Sequence, residues 1–307
     1  MKTAIVGAGA IGSLFGGLLA RSGEDVLLLD NHPERAEKVS REGLRFEGIS
    51  GEMVIPICAT SRFEDSGGAD LFLICVKSYS TEAAGKQIAP FVKNDSIVMT
   101  LQNGIGNVEK LCEIFSREQV MAGTTSQGAN VRGIGHIHHA GRGDTAIGEL
   151  DGKVSERANR TAEIFTRSGI PTRVSENVTG LLWGKLLINV GINPLTAILR
   201  IRNGEILNRP PAVALMHRAV LEAYRVCTGK GIKLEFADPI KKVEEVAMLT
   251  KDNISSMHQD VRAGKRTEID AICGAVVDEG KAIGIETPIN EMLWNIVKAI
   301  EERYGNK

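Results

Sequence analysis

Thr3-Ala4-Ile5-Val6-Gly7-Ala8-Gly9-Ala10-Ile11-Gly12 opens the chain and decides the reading of its N-terminal half. Ala4–Val6 is an apolar run of the kind that forms a strand buried on both faces. The residues after Gly12 have helical spacing as far as Ser22. A second apolar run, Val26-Leu27-Leu28-Leu29, then ends in Asp30, 18 residues beyond Gly12. Strand, glycine turn, helix, strand and acid, in that order, make a dinucleotide-binding unit. Gly7 permits the tight turn, Gly9 lets the backbone approach a pyrophosphate, and Gly12 lets the helix pack close to the sheet. N–H groups at the helix start then face the phosphates, with the helix dipole behind them. The bland alternative is a β-α turn that is merely rich in small residues. The motif's place directly after the first strand, with an acid closing the second, argues against it.

Working outward, Thr3–Val6, Val26–Leu29, Leu71–Val76 and Ile97–Leu101 read as strands. Helical spacing lies between them at Ile11–Ser22, Pro33–Glu42 and Thr81–Phe91. Leu44–Glu47 and Met53–Ile57 flank Gly48 and Gly51 as an inserted hairpin, and Met121–Asn130, His136–Ala140 and Thr145–Ile147 read as further strands. Such alternation belongs to a mostly parallel sheet covered on both faces. After Val174 the pattern turns helical, at Glu176–Ile201, Ala212–Lys230, Pro239–Thr250, Thr267–Ile283 and Pro288–Tyr304. Thr267-Glu268-Ile269-Asp270 has the form of a capping box, and Gly284 that of a helix stop. The expected fold is therefore α/β plus all-α. A Rossmann-type doubly wound sheet, the dinucleotide-binding domain, spans residues 1–174, and an all-helical substrate and catalytic domain spans residues 175–307.

Composition bounds the partners. With 307 residues the chain can hold two domains of ordinary size. Its 37 basic and 38 acidic side chains leave a net charge of −1, which argues against nucleic acid or an anionic membrane as partner. The five cysteines are scattered, without a CxxC pair, and most stand in apolar runs, as buried thiols do in a reducing, cytoplasmic compartment. Met1-Lys2 leads straight into the first strand, so no signal peptide is expected. Leu181–Leu199 is apolar enough to suggest a membrane span, but Lys185, Asn189, Asn193 and Pro194 fit a buried helix better. The apolar C-terminal helices permit a homodimer.

That same helix carries the leading catalytic candidate. Lys185, Asn189 and Asn193 stand at i, i+4 and i+8, on one narrow stripe of an otherwise apolar helix. Each polar group on a buried helix must find a partner. Either the stripe is a solvent face or satisfies backbone in the core, or it is a site, and pattern alone weighs a site evenly against the other two. Asn253 and Ser256, three apart, read as one helical turn, and Glu268 follows after a loop. Ser255 or Ser256 serves equally well as a cap, and Glu268 equally well suits the positive end of a helix. His136, His138 and His139 invite a metal reading, but no acid or cysteine stands at ligand spacing beside them, and no metal is expected. Trp183 and Trp294 read as core or subunit-contact residues.

Several strings together resemble the ketopantoate reductase (2-dehydropantoate 2-reductase) family over essentially the whole chain. They are Gly7 through Gly12, Val76-Lys77, Gln102-Asn103-Gly104-Ile105-Gly106, and Lys185 through Asn189 to Ile192-Asn193-Pro194-Leu195-Thr196. Asn203-Gly204-Glu205, Asn253-Ile254-Ser255-Ser256-Met257 with Gln259-Asp260, and Thr267-Glu268-Ile269-Asp270 complete the set. The resemblance implies reduction of 2-dehydropantoate to (R)-pantoate by a nicotinamide cofactor, a step of pantothenate synthesis. It implies Lys185 as proton donor. Asn189, Asn193, Asn203 and Ser256 would hold the substrate with Asn253 beside them, and Asn103 would touch both substrate and cofactor. Lys77, Glu268 and Ala129 would contact the cofactor, along with the Gly7–Gly12 loop.

One departure concerns the cofactor. Family members commonly carry a basic residue just after the second strand, where it holds the 2′-phosphate of NADP. Here that place reads Asp30-Asn31-His32. Asp30 suits a free ribose 2′-hydroxyl and repels a phosphate. Resemblance favours NADP(H), which is the expected cofactor, and Asp30 makes NAD(H) possible; Arg35 or Lys77 could still reach a phosphate. Two rival functions are a related 2-keto or hydroxy acid dehydrogenase with another small substrate, and a nicotinamide-binding sensor without turnover. A sensor needs the phosphate loop but not Lys185.

Overall fold

The four apolar runs lie side by side in an eight-stranded sheet of the computed structural model, which describes residues 1–306. The chain divides into two units. One comprises Met1–Gln102 and Asn107–Val178; the other comprises Asn103–Gly106 and the chain from Thr179 onward.

The first unit contains β1 (Lys2–Val6), α1 (Ala10–Arg21), β2 (Asp25–Leu29), α2 (Pro33–Glu42), β3 (Leu44–Gly48), β4 (Met53–Ile55) and β5 (Cys58–Thr60). It continues with β6 (Leu71–Ile74), α3 (Thr81–Ile88), β7 (Ile97–Thr100), α4 (Asn107–Cys112), β8 (Val120–Thr125), β9 (Gly128–Gly133), β10 (His136–Gly141), β11 (Thr145–Glu149), α5 (Glu156–Arg167) and β12 (Thr172–Val174). The main sheet runs β12-β11-β8-β7-β6-β1-β2-β5, parallel except where β11 meets β8. Successive residues of its strands feed opposite faces. Ile5, Leu73, Met99 and Met121 pack with Leu14 and Phe15 of α1 and Phe165 of α5. Val6, Phe72, Ile74, Val98 and Val120 pack with Ile88 of α3 and Leu111 of α4. Coverage of both faces is why these strands read as continuous apolar runs. A second sheet, β4-β3-β10-β9, includes the expected hairpin, with Leu44 paired to Ile55.

Several expectations need correction. Residues 121–130 are not one strand: β8 stays in the main sheet, while β9 crosses to the second. The break is at Ser126-Gln127, where Gln127 accepts a bond from buried His139 and donates one to the carbonyl of Gly143. The helix expected over 81–91 ends at Ile88 and closes as a 3-10 turn, Ala89–Phe91, because Pro90 has no N–H to donate. The edge strands β5 and β12, and the helices α4 and α5, were not anticipated. Of the five free cysteines only Cys227 and Cys273 are fully buried, and Cys58 is exposed on edge strand β5.

The second unit holds α6 (Val178–Leu199), α7 (Pro210–Gly229), α8 (Pro239–Leu249), α9 (Ser256–Arg262), α10 (Cys273–Ala282) and α11 (Pro288–Glu302). By length and composition α6 could cross a membrane, but 67% of its apolar window is buried in the protein, as in a core helix. Leu186, Leu187, Val190 and Leu195 of α6 pack with Met216 and Val220 of α7 and Leu293 of α11. The expected capping box at Thr267 is absent. Residues 269–271 form a 3-10 turn instead, and Asp270 turns away to Trp294. Asn253 precedes α9 rather than lying on it, and Ser255 caps that helix by accepting from His258 N–H.

The start of α11 rests on Glu222 of α7. This buried carboxylate accepts from the N–H groups of Ile289 and Asn290 and from Asn290 Nδ2, at 2.9–3.1 Å. It stands where a helix N-terminus favours negative charge. Glu222→Ala would leave those donors buried and unpaired. We expect a loss of about 3 kcal/mol in stability, measured by urea unfolding; an unchanged midpoint would refute the capping role.

Candidate active site

The first unit builds a phosphate cradle. Gly7 has φ +107°, and a Cβ there would meet the Val76 backbone nitrogen at 2.9 Å. At Gly12 a Cβ would lie 2.1 Å from the Gly7 carbonyl oxygen and 3.0 Å from Cys75 Cβ, so the start of α1 touches the sheet only because both residues are glycine. Gly9 is exposed with open space beside it. No side chain caps α1, and no acid occupies its first turn. Its leading N–H groups, from Ala10 through Ile11 to Gly12, can therefore serve an anion, with Ala8 in the approach to them. This backbone meets the requirements of a dinucleotide pyrophosphate.

Around the loop, Asp30 is buried at the end of β2. Its Oδ1 accepts from His32 N–H at 2.9 Å, and its Oδ2 lies 3.9 Å from the half-exposed Arg35 guanidinium. Asn31 beside it is exposed. Lys77 stands three residues after β6 and begins the 3-10 turn Ser78–Ser80. Gln102 fixes this loop by donating to the Val76 carbonyl at 2.7 Å and to Thr81 Oγ1 at 2.8 Å. Ala129 lies on β9, in the second sheet, opposite His139. Two of the three strand histidines have ordinary partners: His136 bonds Glu47, and His139 bonds Ser50 and Gln127, whereas His138 Nδ1 is buried without one among the described residues.

The second unit carries the lysine–asparagine stripe and the remaining substrate-binding candidates. α6 runs unbroken through Pro194. Its polar stripe is not a solvent face: Lys185 and Asn189 are half-buried and Asn193 is buried. Burial pushes the Lys185 ammonium down to about 8, against an opposing pull from the Glu268 carboxylate. Glu268 is itself buried, just ahead of the turn Ile269–Ala271. That turn also seats the loop carrying Asn103. The N–H of Ile105 donates to the Ala271 carbonyl at 3.0 Å, and Gly104, at φ +80°, leaves no room there for a Cβ.

Two amide atoms of these residues are buried without a hydrogen-bond partner in the protein: Asn189 Nδ2, a donor, and Asn203 Oδ1, an acceptor. The orientation of Asn203 is determined by its neighbours. Thr250 Oγ1 spends its proton on the Val246 carbonyl, so it accepts from Asn203 Nδ2 at 3.0 Å. Asn203 N–H donates to the Asn253 carbonyl, which ties these two residues together. Asn253 and Ser256 are exposed, whereas Ser255 is buried and pins α9 to α6 through Thr196 Oγ1 at 2.7 Å. Thr250, which takes the Asn203 Nδ2 donor and leaves its Oδ1 unpaired, carries no spacing signal in the sequence. Chemically, these residues offer an ammonium lowered to about 8, an N–H donor and a carbonyl acceptor.

Residues 3–152 match the family model described as ketopantoate reductase PanE/ApbA, and residues 177–301 match that of its C-terminal domain. The 2-dehydropantoate 2-reductase of Pyrococcus horikoshii is 38% identical, over 99% of both chains. That of Bacillus subtilis is 31% identical over 100% of this chain and 99% of its own. A PanE/ApbA family ketopantoate reductase from Ralstonia eutropha superposes with a TM-score of 0.92 at 34% identity, over 99% of this chain and 100% of that one. A D-mandelate dehydrogenase solved with NADH and anilino(oxo)acetate also reaches 0.92, at 27% identity over 99% of each chain. With a glycine-rich β-α turn in one unit, a lysine–asparagine stripe in the other, and this likeness along its whole length, the chain belongs to the ketopantoate reductase family.

Proposed function

We propose that this protein reduces 2-dehydropantoate to (R)-pantoate, with residues 1–174 as the dinucleotide-binding part and residues 175–307 as the substrate and catalytic part. The observation that carries the reading is Lys185, an ammonium whose acidity burial has brought to about 8 on a helix that also presents Asn189. Gly7, Ala8, Gly9, Ala10, Ile11 and Gly12 cradle the cofactor's pyrophosphate, and Asp30, Asn31, Lys77, Ala129, Asn103 and Glu268 complete its contacts. When bound, a reduced nicotinamide supplies a hydride to the C2 ketone. Negative charge then grows on the ketone oxygen, and Lys185 Nζ delivers a proton to it. Asn189 donates to the substrate and orients it. Asn193, Asn253 and Ser256 hold its polar ends.

The orphan acceptor of Asn203 speaks for the substrate. 2-Dehydropantoate carries a hydroxyl that can donate to it, whereas a 2-oxo acid with an apolar side chain leaves Asn203 Oδ1 buried and unpaired. Asn203→Ala should therefore narrow the preference for 2-dehydropantoate over 2-oxoisovalerate by about tenfold. An unchanged kcat/KM ratio for the two acids would remove Asn203 from the site.

The proton-donor role has a definite pH signature. Lys185 must be protonated to act as acid, so kcat holds below about 8 and falls as pH rises through that value. Glu268→Gln removes the charge that raises Lys185, so the alkaline limb should move to lower pH. Lys185→Ala should reduce kcat about a hundredfold or more; near-normal turnover in that variant would end the proposal.

For the cofactor, we infer a preference for NADH over NADPH, against the expectation from resemblance, because Asp30 is buried at the end of β2, where the acid of a dinucleotide fold pairs with a free ribose 2′-hydroxyl. The D-mandelate dehydrogenase relative was solved with NADH. Initial rates with each reduced nicotinamide should favour NADH, and Asp30→Ser should narrow that ratio about tenfold or more. Faster turnover with NADPH in the unaltered protein would reverse the assignment.

A further inference from the structure

A side-chain amide has a donor end and an acceptor end of nearly the same shape, so a buried one can turn end for end unless a neighbour tells the two apart. Asn203 is 7% exposed and its Oδ1 has no partner in the protein. Thr250, which closes α8, makes the distinction. Its Oγ1 lies 2.7 Å from the Val246 carbonyl, one turn back along the helix, and a carbonyl can only accept. The hydroxyl proton is therefore spent, and Thr250 shows Asn203 a lone pair, which Nδ2 takes at 3.0 Å. Turning the amide over would set its oxygen against that lone pair, or draw the proton away from the shorter bond. The backbone around the pair is tied in register. Asn203 N–H donates to the Asn253 carbonyl at 3.0 Å, Gly204 N–H to that of Lys251 at 3.2 Å, and Asn253 N–H to that of Thr250 at 2.8 Å. A Cβ on Gly204 would lie 2.4 Å from Lys251 Cβ, so the two segments come this close only because that residue is glycine. With the backbones fixed, the Thr250 hydroxyl decides which end of the amide is left over.

We propose that Thr250 is a positioning residue that sets substrate specificity: by taking the Asn203 amide nitrogen it commits Asn203 to offering an acceptor, so the site selects an acid that brings a hydroxyl over one whose group of similar size cannot donate. The inference rests on the reading of Asn203 as a substrate contact. A hydroxyl donates to the waiting Oδ1 and satisfies it. An acceptor-only group meets that oxygen lone pair to lone pair, and an apolar group leaves it buried and unpaired. Without the Thr250 hydroxyl nothing holds Nδ2 back, and Asn203 can turn either end to the substrate.

The test uses the full-length protein and two substrates of similar size: 2-dehydropantoate, and the analogue in which fluorine, which cannot donate, replaces its hydroxyl. The ratio of kcat/KM for the two is measured in the unaltered protein and in Thr250→Val, Thr250→Ser and Asn203→Ala. Valine keeps the branched shape without the hydroxyl, and serine keeps the hydroxyl. The preference for 2-dehydropantoate should fall about fivefold or more in Thr250→Val and stay within about twofold of the unaltered ratio in Thr250→Ser. If Thr250→Val does not fold, Thr250→Ala is read in its place. An unchanged ratio in the folded variant lacking the hydroxyl, or an equal fall in Thr250→Ser, would overturn the role of Thr250. Asn203→Ala keeps the two readings apart. A fall there without one in Thr250→Val sinks the role of Thr250 alone, whereas no fall there removes Asn203 from the site and Thr250 with it.

Discussion

The proposed chemistry of this protein depends on one ammonium group removed from water. Lys185 projects from a helix whose neighbours Leu186, Leu187 and Val190 are core residues. Its fall from 10.5 to about 8 corresponds to roughly 3 kcal/mol of lost preference for the charged form. Complete neutralisation would make the group a poor proton donor at working pH. Burial lowers the pKa of Lys185 and Glu268 opposes it in the smaller measure, leaving the group at about 8.

The same unit sacrifices stability at its asparagines. A buried amide atom without a partner costs about 1–3 kcal/mol. Asn189 Nδ2 and Asn203 Oδ1 are both in this state while neighbouring polar groups are satisfied, including Asn203 Nδ2 on Thr250. Under the proposed function these two atoms await a ligand, whereas Asn290 Oδ1, equally unpartnered, lies in the structural network around Glu222. Glu222 shows the contrasting structural use of a buried polar group: its carboxylate is filled by donors from the start of α11 and has no chemistry left to offer.

What could be read from the sequence follows from where each signal originates. The central strands were legible because burial on both faces leaves unbroken apolar runs, and Gly7, Gly9 and Gly12 were legible because close backbone approach tolerates only glycine. The stripe of Lys185, Asn189 and Asn193 was legible because helical periodicity is local. β5 and β12 are three residues each and lie at sheet edges, so they are too short to imprint a pattern. The division of residues 121–130 between two sheets depends on Gln127 meeting His139 and Gly143, which local periodicity does not encode. Thr267-Glu268-Ile269-Asp270 matched a cap, but Asp270 found Trp294, 24 residues away, and that tertiary partner outweighed the local option.

The two units therefore meet different chemical demands with different materials. A pyrophosphate is recognised by backbone N–H groups and a helix dipole, so the cradle at Gly9 needs the absence of side chains more than their presence. Proton delivery needs a side chain at a defined acidity, and acidity is set by neighbours rather than by the residue itself. In this chain burial lowers the Lys185 ammonium and the Glu268 carboxylate opposes that fall, so Lys185 alone would not define the proposed site.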